Sequence, residues 1–290
     1  MLFLPPPLLY GDAMNDKRPP ARKPSSKPGS KHISAGGKPR PKKGPPHRHE
    51  RELDEDRPVW LYGRHAVAAA LKNPDRKIHR LVATLNAAQW LTDQGIEATP
   101  DDLKPDAIDG MLPPGSVHQG LAAYVDELPR ARLKETCQPV AGENRPVIVL
   151  DQVTDVHNIG AIFRTAAAFN ARAIIVQERR TPPLAGALAK AAAGAVDIVP
   201  CVQAVNIARS LEALKEMGYF CAGLAGEAVA LIADMPKEKP VVLVMGAEGA
   251  GLRDLVGQTC DMLVRIPISA EMDSLNVSNA AAIALYEIAR

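Results

Sequence analysis

Three stretches of this 290-residue chain place charged and hydrogen-bonding side chains in runs broken by glycine, the composition from which chemical sites are built. The first is Asp151-Gln-Val-Thr-Asp155-Val-His157-Asn158-Ile-Gly160, followed by Arg164. A helix opening there, with Arg164 about one turn in, would offer free main-chain N–H groups and a forked guanidinium, which together suit a phosphate. Equally, Asn158 could simply cap that helix, with Gly160 permitting close packing and Arg164 paired with an acid. The second stretch is Met245-Gly246-Ala-Glu248-Gly-Ala-Gly251-Leu252-Arg253. It lacks the Lys-[Ser/Thr] pair of a P-loop, and Glu248 stands where a dinucleotide fingerprint starting at Gly246 needs glycine. A carboxylate there favours a cationic or hydrogen-bond-donating ligand, although Glu248 as a cap for the following helix explains it nearly as well. The third stretch contains Ile266-Pro267-Ile268-Ser269 and, further on, Asp273-Ser274-Leu275-Asn276-Val277-Ser278. If Ser274 caps the last helix, Asn276 and Ser278 are surplus polar groups in its first turn, which points to ligand contacts.

The elements that must hold these loops alternate. Strand-like apolar runs fall at 147–150, 173–176, 196–200, 219–223, 241–245 and 262–267, with helical patterns at 159–169, 184–193, 205–217, 251–259 and 275–289. Short aliphatic strands alternating with helices predict an α/β fold with a mostly parallel sheet covered on both faces. Ligands of such sheets bind beyond the carboxyl ends of the strands, where all three stretches fall. A smaller α/β unit precedes them, with a helix at 65–71, a strand at 78–84, a helix at 87–94 and a strand at 119–125. Residues 127–144, with Pro129, Pro139 and Gly142 among charged side chains, read as a linker.

Net charge is +2, which conceals a segregation. Residues 17–51 hold twelve Lys/Arg against the single Glu50, whereas residues 52–290 hold 23 basic and 30 acidic groups. The basic stretch is rich in Pro, Gly and Ser and poor in aliphatics, which predicts a disordered arm suited to a polyanion. A solubility tail is the plainer alternative. The hydrophobic fraction of 46% excludes a wholly disordered chain. Four cysteines spaced at least 20 residues apart offer no CxxC pair, which fits a reduced, cytoplasmic protein. No apolar run is long enough to span a bilayer. The segment 1–10 has three prolines and no basic start, so it is not read as a signal peptide, and Met14 is a candidate start.

The ordered set Asn158-x-Gly160-x-x-x-Arg164, Gly246-x-Glu248-x-x-Gly251-Leu252 and Ile266-Pro267 followed by Ser274-Leu275-Asn276-Val277-Ser278 resembles the three motifs of the SpoU (TrmH) RNA ribose methyltransferases. Tyr62-Gly63-Arg64-His65-Ala66-Val67 and Val117-His118-Gln119-Gly120 are similar to the ends of the ribosomal-protein-like substrate-binding domain of the RlmB-like branch. About 230 residues carry the resemblance, and the basic arm does not. After the basic arm, taken from composition as 1–56, the resemblance implies an RNA substrate-binding domain at 57–127, a linker at 128–145 and a methyltransferase domain at 146–290 ending in an α/β knot. It also implies a homodimer formed through the knot region, a cytoplasmic location, no membrane and no metal.

The implied reaction is methyl transfer from S-adenosylmethionine to a ribose 2′-hydroxyl, most simply of a guanosine in large-subunit (23S) ribosomal RNA. Transfer RNA is the alternative substrate, and a non-catalytic RNA-binding or ribosome-assembly factor the alternative role; a nucleotide-dependent oxidoreductase is disfavoured by the missing fingerprint. The resemblance puts cofactor contacts, chiefly through main-chain groups, at Gly246, Ile266 and Leu275, with Gly226 beside them. Arg164 is implied to act on the hydroxyl. Because guanidinium stays protonated, orienting the ribose through its phosphate and lowering the hydroxyl's pKa is the physically sounder role. Asn158 and Glu248 would position loops and substrate, and Asn276 and Ser278 would shape the site. Val156, Asn170 and Ala193 depart from the usual Pro, Gly and Ser, and the stretch between Leu85 and Val117 is short for the branch.

Overall fold

The computed structural model describes residues 58–290. The expected basic arm and the candidate start at Met14 lie outside the described residues.

The small unit runs β1 (Val59–Tyr62), α1 (Arg64–Lys72), β2 (Ile78–Ala83), α2 (Leu85–Asp93), β3 (Asp101–Asp102), α3 (Pro105–Asp109) and β4 (Leu121–Val125). Its sheet has the order β1-β4-β2-β3, antiparallel except for the β2–β3 pair. The helices α1 and α2 bury Val67, Ala87 and Leu91 against one face with Leu61 and Leu121, while Ile108 and Leu112 cover part of the other beside Tyr62 and Val82. The strand β1 stands ahead of the elements expected of this unit, which began with the helix at 65–71.

The segment that follows is more than a spacer. It contains α4 (Leu133–Thr136), Cys137 is fully buried, and the Tyr219 hydroxyl donates to the Cys137 carbonyl at 2.9 Å. Burial raises that thiol to a pKa of about 11.

The large unit continues through β5 (Val147–Asp151), α5 (Val156–Ala168), β6 (Ala173–Gln177), α6 (Gly186–Ala191), β7 (Cys201–Ala204), α7 (Ile207–Glu216), β8 (Phe220–Leu224), β9 (Ala230–Leu231), β10 (Val241–Gly246), α8 (Asp254–Thr259), β11 (Met262–Arg265) and α9 (Val277–Ala289). Its seven strands lie in the order β7-β6-β5-β10-β8-β11-β9, and each neighbouring pair is parallel. Side chains alternate across a strand, so a sheet covered on both sides needs continuous apolar runs. Ile148 and Leu150 of β5, with Leu243 and Met245 of β10, pack into one core with α5 and α9. Val147 and Val149, with Val242 and Val244, pack into the other with α7.

The expected strand at 196–200 is corrected. Residues Ala195–Asp197 form a 3-10 turn after Gly194, and the strand begins only at Cys201. Pro200 has no N–H to give a ladder; its carbonyl accepts from Ile174 N at 2.9 Å, so pairing starts beyond it. Val196 and Val199, three apart, both turn inward, as a helical turn rather than a strand permits. Asn170, at φ 52 after α5, adopts the left-handed conformation that asparagine tolerates, so the departure from glycine does not break that turn. Among the described residues no helix is long and apolar enough to cross a membrane.

The two units meet along α1 and β1 on one side and α6 and the 195–197 turn on the other. A buried ion pair pins them: Arg76 Nε donates to Asp197 Oδ1 at 2.8 Å, with both side chains 2% exposed. Asn73 Nδ2 donates to the same oxygen at 3.2 Å, and a second Arg76 nitrogen donates to the Asp126 carbonyl at 3.0 Å.

Candidate active site

Strand β10 lies beside β5 with Gly246 in register with Asp151, so the first two motif loops leave the sheet side by side. Asp151 is fully buried and takes Arg253 Nε at 2.8 Å and Arg253 N at 3.1 Å. This charge-assisted clamp fixes the glycine loop over the strand ends. It was not anticipated, although an acid ending an apolar strand was its visible signal. Within the loop, Ala247 N donates to Gly251 O at 3.1 Å and Gly251 N to Ala247 O at 2.9 Å. A Cβ on Gly246 would overlap the main-chain atoms of Gly251 and Leu252, so the fold requires glycine there.

Helix α5 starts earlier than expected, at Val156, and Asp155 caps it by accepting from His157 N at 2.8 Å and Asn158 N at 2.9 Å. The expected open anion site at this terminus is therefore filled by the protein's own carboxylate. Asn158 is freed from capping. The two main-chain donors, that of Asn158 foremost, hold Asp155 below the ordinary carboxyl value of 3.8. The depressed pKa makes the cap's contribution complete above the unfolded-state value and removes it as pH falls through the folded one. Asp155→Ala is thus expected to lower the Tm at pH 6, with the gap from the parent chain closing in acid. A gap that stays constant down to the acid limb of the melting series would show that the carboxylate charge plays no part.

Asn276, rather than Ser274, caps α9, its Oδ1 accepting from Ser278 N at 2.9 Å and Ser278 Oγ at 2.6 Å. Its Nδ2 donates to Glu248 Oε1 at 2.8 Å and to Asn158 Oδ1 at 3.0 Å, and Asn158 Nδ2 donates to the same Glu248 oxygen at 2.9 Å. Glu248 does not cap α8; its carboxylate faces the start of α9, taking Val277 N at 3.4 Å as well. One carboxylate oxygen thereby ties residues 90 and 28 positions apart from it into a single cluster. The surplus of polar groups read from the sequence is partly a cap and partly this junction.

Beside the cluster opens a cavity of about 850 Å³, within the range of small-molecule sites. Gly226, Gly246, Ile266 and Leu275 all line it, as do Glu248 and Asn276. Asn158 and Ser278 do not line it; Asn158 reaches it through Glu248 and Asn276, and Ser278 through Asn276. Among its lining residues the carboxylates of Glu227, Glu248 and Asp273 outnumber the one guanidinium, Arg265. Ile268 and Met272 expose apolar surface at the same place. A glycine wall, main-chain groups from an irregular segment, apolar lips and an excess of negative charge fit a nucleoside bearing a cationic sulfonium and an ammonium group.

Arg164 stands apart. It is the ninth residue of α5, so it lies about 12 Å along the helix from its start rather than one turn in. It is exposed, does not line the cavity, and its guanidinium has no partner among the described residues. Gly160, on the same helix, sits so close to α6 that a Cβ would overlap Ala191.

The family profile described as the SpoU rRNA Methylase family matches residues 145–286, from just before β5 into α9. The 23S rRNA (guanosine-2'-O-)-methyltransferase RlmB of Burkholderia sp is 38% identical over 241 residues, 79% of this chain and 95% of that protein. The chain belongs to the SpoU family. The RlmB protein of Vibrio parahaemolyticus is 37% identical over 243 residues, 80% of this chain and 96% of its own length. Among solved structures, the AdoMet-bound rRNA methyltransferase from Sinorhizobium meliloti is 25% identical with a TM-score of 0.66, over 80% of this chain and 87% of that one.

Proposed function

We propose that the chain uses S-adenosylmethionine to methylate the ribose 2′-hydroxyl of a guanosine in 23S ribosomal RNA. The observation that carries this reading is the junction of Asn158, Glu248 and Asn276 against a cavity walled by Gly246, Ile266, Leu275 and Gly226. The activity for which the RlmB relatives are named supports the base and the RNA. Main-chain groups of Ile266 and Leu275, with the glycine wall, would hold the adenosine; the carboxylates of the cavity would face the positive charge. Bound there, the cofactor supplies an electrophilic methyl group.

The chain's own part is alignment and charge. Methyl transfer is an in-line displacement, so fixing the hydroxyl oxygen opposite the leaving sulfur supplies much of the acceleration. Asn158 and Glu248 hold the loops that define that line. Arg164, exposed and unpaired among the described residues, is suited to grip the phosphate beside the target ribose and so to orient its hydroxyl, whose proton passes to solvent during transfer. The unit at 57–127 would seat the RNA, the segment 128–145 would join it to the transferase unit at 146–290, and the C-terminal segment would thread as a knot. A second copy would cover the outer face of α9, where Ile283 is 42% and Tyr286 57% exposed. A cytoplasmic location follows from such a substrate.

Incubating the full chain with methyl-labelled donor and either 23S rRNA or transfer RNA, then mapping the labelled nucleotide, tests the reading. Label at a guanosine ribose of 23S rRNA supports it; label only in transfer RNA, or none, overturns it. Arg164→Ala should bind the donor normally and lose about 100-fold in turnover, the scale of one transition-state donor. Unaltered turnover would remove Arg164 from the chemistry. The active species should sediment at twice the 31.0 kDa chain mass, and an active monomer would refute the pairing.

A further inference from the structure

The small unit carries a cluster that the methyl-transfer site does not use. The Arg64 guanidinium lies over the Trp90 ring, 5.5 Å from its centroid, and the His65 ring meets the same indole edge-on at 5.7 Å and 88°. Arg64 is held in this pose from the side. Its Nε donates to the Gln119 carbonyl at 3.4 Å, and its main-chain N donates to Gln119 Oε1 at 3.2 Å. Gln119 adopts φ 56, a left-handed conformation that costs a side-chain-bearing residue energy.

No carboxylate contacts this arginine among the described residues, unlike Arg76, Arg80 and Arg172, which are all in ion pairs. Beside it the His65 ring is exposed, and Trp90 is half-buried. A guanidinium backed by an indole and half-exposed to solvent is a surface on which an unpaired base can stack.

The platform also connects, through α6, to the helix of the first motif. Lys190 of α6 donates to the Val117 carbonyl at 2.5 Å, and a Cβ on Gly63 would lie 3.5 Å from the Lys190 chain. Helix α6 in turn packs on α5 through Ala191 and Gly160. Two helix packings of 8–10 Å each separate the platform from α5, or roughly 20 Å. That distance is a few nucleotides of single strand.

We infer that Arg64, backed by Trp90 and edged by His65, is a stacking platform for a base of the substrate RNA a few nucleotides from the methylated one. The inference rests on the RNA-methylating reading above, and it adds a specificity-determining surface outside the transfer site. Stacking, not charge, is the claimed interaction, so lysine is no substitute for arginine here.

The test measures binding of a 23S rRNA transcript to the full chain and to its Arg64→Ala and Arg64→Lys variants over a series of salt concentrations. Both variants should bind about 10-fold more weakly, the scale of one stacked base, and both should keep the parent salt slope. In a Trp60→Phe background Trp90 is the remaining tryptophan of the two in the chain, and its emission should change on RNA binding. Arg64→Lys binding like the parent, a slope shallower by about 0.7 in Arg64→Ala as for a phosphate contact, or unchanged affinity in both would each overturn the platform. Heat of S-adenosylmethionine binding, measured on the same samples, should be equal in all three chains. Its absence from the parent chain would overturn the methyl-transfer reading and leave the RNA titration to decide the platform alone.

Discussion

Gly246→Ala is expected to abolish S-adenosylmethionine binding, lowering affinity by at least about 100-fold, and to lower the melting temperature with it. The added methyl would overlap the main-chain carbon and oxygen of Gly251 and the nitrogen of Leu252, not the tip of a flexible side chain. That backbone has little freedom to retreat. It is held by the paired hydrogen bonds between Ala247 and Gly251 and, two residues on, by the Arg253 clamp on buried Asp151. Overpacking of this kind costs about 1–3 kcal/mol, occasionally more, and any relief moves the wall of the 850 Å³ cavity. Gly226→Ala is the matched control. Its Cβ would find nothing nearer than the Asp273 carbonyl at 3.9 Å, so stability should be unaltered and donor affinity changed only slightly. Isothermal titration of the two variants decides the matter: Gly246→Ala binding the donor like the parent chain would remove that wall from the site.

Asp197→Ala is expected to destabilise the chain by about 3–5 kcal/mol, because it strands a buried guanidinium. The Arg76 side chain is 2% exposed, and one of its nitrogens already lacks a partner among the described residues, so without Asp197 only the neutral Asp126 carbonyl is left to it. A melting temperature lower by on the order of 10 °C is the corresponding reading for a body of this size. Replacing both partners by apolar residues of similar volume, as in Arg76→Met with Asp197→Leu, should recover most of the loss, since no charge is then left buried. The pair joins the two units, so the double variant should still bind S-adenosylmethionine while its methylation of RNA falls. Full RNA methylation by the double variant would show that the ion pair contributes stability alone and does not set how the units are held.

The local chemistry of the chain was legible from residue order because it depends on near neighbours. Uninterrupted runs such as Val147 to Leu150 and Val241 to Met245 specify a sheet buried on both faces, since every position of such a strand meets a hydrophobic layer. The glycine and polar loops after β5, β10 and β11 stood out by composition alone, and Gly226, Gly246, Ile266 and Leu275 do share one cavity. Residue order was less reliable where two local solutions compete. The run 196–200 has the composition of a strand, but Pro200 cannot donate to a ladder, and its valines serve the core better from a helical turn. Cap assignments failed for the same reason. Thr, Asp, Asn and Ser within a few positions can each end a helix, and only the packed main chain selects Asp155 and Asn276.

Tertiary structure alone decided the partners of the remaining polar groups. Glu248 meets Asn158 and Asn276 across 90 and 28 residues, Arg253 meets Asp151 across 102, and Arg76 meets Asp197 across 121. It also set Arg164 two turns down α5, away from the cavity, and laid Arg64 on Trp90. The physical reason is common to all of these: a side chain's hydrogen-bonding capacity is written in its type, but the atom that satisfies it is whichever one the strand order and helix packing bring within about 3 Å.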